Sequence, residues 1–175
     1  MKTTKLERLH PCREALKWAQ EQKNQKQAWN DCERGDWMLW LCGKLSGEPE
    51  SHKRKKLVLA SCECARLALK YVKQGEERPI KTIETAEKWA NGKATIEQVR
   101  KATAAGANAA ATAAYAGADA AYAGAGAAAA AANAAATAAY AGAGADAAAA
   151  TGARSGTLKI CADIVRRHYP NPPKV

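Results

Sequence analysis

The chain has 175 residues, with 27 Lys/Arg against 17 Asp/Glu and a formal net charge of +10. That length sets the scale of one domain, and that charge favours anionic partners: nucleic acid, nucleotides or an acidic protein. The 47% hydrophobic fraction overstates the core, because 44 of those residues are alanine, and the Ala-rich run is too weakly apolar and too interrupted by Asp119 and Asp146 to span a membrane.

Every segment reads as helix, which predicts an all-α fold. Pro11 suits the first turn of a helix that carries Leu16, Trp18 and Ala19 inward as far as Gln22. A second short helix covers 25–34 and stops at Gly35. Asp36 then caps a third over 37–45, and 46–51 forms a loop. Ser51 caps a longer helix to about Lys73, with Leu57, Ala60, Cys64, Leu67 and Tyr71 on one face. Gly75 and Pro79 punctuate. The helix over 81–90 turns Ile83, Ala86, Trp89 and Ala90 inward and stops at Asn91-Gly92. Thr95-Ile-Glu-Gln98 has the form of a capping box and starts another helix. A final helix, capped by Ser155, carries Leu158, Cys161, Ile164 and Val165 inward and ends before Pro170.

Residues 102–153 hold 34 alanines, seven glycines and no bulky aliphatic side chain. The string NAAATAAYAGA occurs at Asn108–Ala118 and again, unchanged, at Asn133–Ala143. The 25-residue offset is almost seven helical turns, so the repeat returns to nearly one face. Tyr115, Tyr122 and Tyr140 share that face with Asn and Thr residues. Unbroken, a helix from 96 to 153 would reach about 87 Å. A break at Gly124-Ala-Gly126 or Gly142-Ala-Gly144 would fold it into an antiparallel hairpin. The tyrosine stripe either packs between close-set helices or stacks on a ligand. Exposed alanine rods also favour a homo-oligomer. The organisation expected is a globular helical bundle over 1–101, an Ala-rich helix or hairpin over 102–153, and a C-terminal helix over 154–175 that packs back on the bundle.

Nucleophile–base, paired-carboxylate and phosphate-loop patterns do not occur around His10, His52 and His168, so an enzyme is not expected. No cofactor is expected either. Cys62-Glu-Cys64 and His10-Pro-Cys12 have no CxxC partner, and no metal site is assigned. No apolar leader follows the charged N-terminus, so the six cysteines are expected to be reduced in a cytoplasmic helical core. The run Lys53, Arg54, Lys55 and Lys56 opens a helix whose free N–H groups would welcome an anion. With Arg154, Arg166, Arg167 and the tyrosines 115, 122 and 140, these residues form the candidate ligand-binding set. Arg34, Asp36, Arg66, Glu84 and Glu87 are expected to form one polar network around Trp37, Trp40 and Trp89.

Four ordered motifs carry a resemblance. They are Cys32-Glu-Arg-Gly-Asp-Trp-Met-Leu-Trp40, Lys56-Leu-Val-Leu-Ala-Ser-Cys-Glu-Cys-Ala-Arg-Leu-Ala68, Glu77-Arg-Pro79 with Ile83-Glu-Thr-Ala-Glu-Lys-Trp89, and Cys161-Ala-Asp-Ile-Val-Arg-Arg-His-Tyr-Pro170. Together they resemble the Imm-5-like immunity proteins of bacterial toxin systems and phages. The resemblance implies a non-enzymatic protein that neutralises a toxin or a host-defence component by stoichiometric binding in the bacterial cytoplasm. The alternatives are a sponge for an anionic cyclic nucleotide and a nucleic-acid-binding protein.

Overall fold

The computed structural model describes residues 4–72, 74–105 and 147–174, and the described residues are all-α. The repeats, the glycine breaks, the tyrosine stripe and its proposed role in oligomerisation lie outside them. Eight α-helices occur among the described residues: α1 Thr4–Glu7, α2 Arg13–Glu21, α3 Gln25–Asp31, α4 Gly35–Lys44, α5 His52–Arg66, α6 Arg78–Ala90, α7 Ile96–Ala105 and α8 Ala147–His168. A 3-10 turn, Leu69–Tyr71, follows α5.

Local capping sets most of the starts. Asn24 accepts the Gln27 N–H at 2.9 Å, and Ser51 accepts the Arg54 N–H at 3.2 Å. Thr95 and Gln98 exchange the two bonds of a capping box, at 2.7 and 3.2 Å. Gly92, at φ +73°, closes α6 with a bond from its N–H to the Trp89 carbonyl.

Several boundaries differ from the sequence reading. Pro11 precedes α2, whose cap is Cys12; its sulfur accepts the Ala15 N–H at 3.5 Å. α5 ends at Arg66, well before Lys73. Ser155 lies inside α8, because nothing between Ala147 and Ser155 breaks a helix; its hydroxyl bonds back to the Gly152 carbonyl at 3.1 Å.

Gly35 is the most informative difference. It opens α4 and stops no helix; α3 ends at Asp31. A Cβ on Gly35 would sit 2.5 Å from the Cβ of Cys161 and 2.6 Å from the backbone nitrogen of Ala162. The glycine is there for space, so that α8 can lie against the backbone of α4.

Two apolar clusters share α5. Leu57, Ala60 and Cys64 face Met38, Leu39 and Cys42 of α4 and Leu158, Cys161 and Val165 of α8. Val58, Cys62 and Ala65 face Ile83, Ala86 and Trp89 of α6 and Val99 of α7. α5 is therefore buried on two sides, where the sequence reading assigned one. The buried serine hydroxyls are satisfied locally: that of Ser61 donates to the Leu57 carbonyl at 2.9 Å, and that of Ser46 to the Gly43 carbonyl at 2.7 Å.

Gly35→Ala is expected to cost about 3 kcal/mol, because backbone must move to relieve the overlap. Gly156→Ala, also within α8 and with nothing near its new Cβ, is expected to gain about 0.5–1 kcal/mol from helix propensity. Denaturant unfolding of the two variants checks both signs.

Candidate functional site

α8 carries Arg166 and Arg167 to the same side of the fold as the start of α5, and most of these cations have partners there. Arg166 reaches the end of α3, donating to the carbonyls of Trp29 and Cys32 at 3.0 and 2.9 Å. Its other nitrogen pairs with Asp163 at 2.8 Å. A cation there satisfies carbonyls that α3 cannot satisfy itself. Arg167 and His168 both bond Glu63 on α5. Burial pushes the Glu63 carboxyl up, but the bonds from His168 and Arg167 outweigh it and hold it below the ordinary carboxylate range.

The run that opens α5 meets the tail of α8. Tyr169 donates its hydroxyl to the Lys53 carbonyl at 3.2 Å, and the Lys56 ammonium sits 5.0 Å from the Tyr169 ring centre. Lys55 lies 3.6 Å from Glu50 and 5.9 Å from the Trp89 ring. Arg54 donates to the Gly47 carbonyl at 2.7 Å. Of the candidate set, Lys53 through its carbonyl and Lys56 through its ammonium thus meet Tyr169, while Arg167 is held at Glu63. Arg154 is exposed and twelve residues before Arg166, about 18 Å away along the helix. Tyr115, Tyr122 and Tyr140 lie outside the described residues.

The polar network expected around the tryptophans is two separate pairs. Arg34 grips Asp36 with both ends of its guanidinium, at 2.8 and 2.6 Å, and lies 4.2 Å over the ring of Trp37. Arg66 binds Glu87 in the same bidentate manner at 2.9 and 2.8 Å, joining α5 to α6. Glu84 belongs to neither grip.

Beyond the basic residues, α1–α4 line an open cavity of about 790 Å³ that sequence reasoning did not find. Its walls include His10, Cys12, Trp18, Trp29, Trp37 and Trp40, with Pro172 closing one side. Trp18 and Trp37 are 6.1 Å apart and tilted by 56°. His10 stands at φ +56°, a strained setting for a side-chain-bearing residue. The only sequence signal was four tryptophans within residues 18–40, each of which reads equally well as core.

A model of the family described as Imm-5 like putative immunity protein matches residues 47–169, well over half of the chain. The chain belongs to that family. No curated protein and no solved structure matches it. The family match takes in α5, α6, α7 and α8, together with the basic end. The cavity is lined by residues 4–41 and by Pro172, all outside the matched span.

Five of the six cysteines are buried; Cys12, on the cavity wall, is exposed, contrary to the expectation of a wholly buried set. Burial pushes the thiol of Cys32 up to about 11 and that of Cys42 to about 12, so neither offers thiolate near neutrality. Among the described residues no three His, Cys, Asp or Glu side chains meet to hold a metal. No helix of the described residues is long and apolar enough to cross a membrane. In the folded protein, a thiol-specific disulfide reagent is expected to react rapidly with one thiol, that of Cys12. The count should rise to six on unfolding, and Cys12→Ser should remove the rapid phase.

Proposed function

We propose that this member of the immunity family neutralises a toxin or host-defence protein by stoichiometric binding, without catalysis. The observation that carries the reading is the family match over residues 47–169. The partner's contact face is acidic, in keeping with a net charge of +10. The docking face is the basic end, which carries Lys53, Lys56 and Arg167. Its geometry suits a protein partner better than a small anion. The cations there are held by Glu50, Glu63, Tyr169 and backbone carbonyls. A preorganised charged surface steers a complementary protein with little ordering cost. Sequestration of a cyclic nucleotide, or binding along nucleic acid, would need several of these side chains to leave their partners for phosphate.

Native mass spectrometry of the chain, isolated gently from phage-infected bacterial cells, tests the proposal. A protein bound one-to-one, and lost when Lys53 and Arg167 are both changed to Glu, is expected. A nucleotide-sized adduct with purine-like ultraviolet absorption, and no protein partner, would contradict it.

A further inference from the structure

The cavity between α1, α2, α3 and α4 borders the basic end through Trp29, Cys32 and Pro172, but Lys53, Lys56 and Arg167 do not line it, and it takes no part in the function proposed above. Its volume of about 790 Å³ falls within the ~300–1,000 Å³ of small-molecule sites. Its polar capacity is one-sided. Both oxygens of Asp36 are taken by Arg34, and Gln25 is committed to the Pro173 carbonyl at 2.6 Å. Trp29 donates its indole N–H to the Tyr169 carbonyl at 2.8 Å. The indole N–H groups of Trp18, Trp37 and Trp40, by contrast, donate to no other described residue. All three rings are half-buried, so each keeps an open edge or face. The positive charge near them comes from Lys5, on the wall, and Lys44, 5.8 Å from the Trp40 ring; Arg34, over Trp37, is neutralised by Asp36.

We propose that this cavity binds a planar aromatic small molecule carrying a carboxylate or similar anionic group. The flat body would stack against indole rings, where aromatic contact adds to the area buried. The anionic group would take up the spare N–H donors and the local positive charge. A cationic ligand fits poorly, because the carboxylate that would attract it is already neutralised by Arg34. Cys12 and the strained His10 sit on the wall, so an occupant also covers the exposed thiol.

The five indole N–H signals in the NMR spectrum of the full chain provide the test, with naphthoate as the probe and naphthylmethylammonium as its cationic counterpart. Naphthoate is expected to shift the signals of Trp18, Trp37 and Trp40 saturably. Trp89, buried and away from the cavity, serves as the internal control and should stay in place. Bound naphthoate should also slow alkylation of Cys12, and naphthylmethylammonium should bind at least about tenfold more weakly. Five unmoved signals, five that drift alike, or equal binding of the two probes would overturn the proposal. So would shifts of the three indoles that appear only with a protein partner, since the cavity would then be a docking surface. None of these outcomes bears on whether a toxin binds the basic end.

Discussion

The Cβ of Cys161 and the backbone of Ala162 occupy the space in which any side chain at position 35 would lie. Because that side chain is a single hydrogen, α8 can lie directly on the backbone of α4. The rest of the arrangement follows from that approach. It places Cys161, Leu158 and Val165 against Leu39, Cys42 and Leu57 in a dry interior. It also carries Arg166 to the carbonyls of Trp29 and Cys32, and Tyr169 to the indole of Trp29. The C-terminal tail then runs on to Gln25. The short helix α3, too short to be stable alone, is in this way held by the last helix and the tail of the chain.

The two ends of the molecule consequently differ in chemistry. At the tail of α8 the positive charges are ordered by carboxylates and carbonyls, which makes a stiff basic surface. At the head of α4 a bidentate Arg34–Asp36 pair lies on Trp37 and leaves three indoles half-covered around a cavity. The first end lies in the span shared with the immunity family, and the second lies outside it. Such a division suits a protein in which the shared scaffold presents one recognition surface and the N-terminal helices add another.

Some helix ends were legible because the signal is local. Ser51, the Thr95–Gln98 box and Asn91-Gly92 each act within about one turn, and structure and sequence agree there. The inward faces of α6 and α8 were likewise readable from periodicity, with Ile83, Ala86, Trp89, Leu158, Cys161, Ile164 and Val165 all buried. Gly35 was misread because its reason lies at Cys161, far along the chain. Ser155 was misread because a good cap residue is also tolerated in mid-helix when its hydroxyl bonds back to a carbonyl. The second buried face of α5, through Val58, Cys62 and Ala65, was hidden because a helix buried on two sides loses its polar stripe. The cavity was invisible for a related reason: it is made by four helices and the tail together, and half-buried tryptophans carry no mark of which side is open. The basic residues could be named from the sequence, but which cations the fold would occupy depended on Glu63, Asp163 and the end of α3, none of which their spacing reveals.

Native-state hydrogen exchange measures the dependence of the fold on the α4–α8 contact most directly. If the contact is the common support, the amides of Met38, Leu39 and Cys42 in α4 and of Cys161, Ala162 and Val165 in α8 should exchange only through one shared, global opening. Their opening free energies should agree, and both should fall together in Gly35→Ala. Exchange of the α8 amides through a smaller, separate opening, while α4 stays fully protected, would contradict the account.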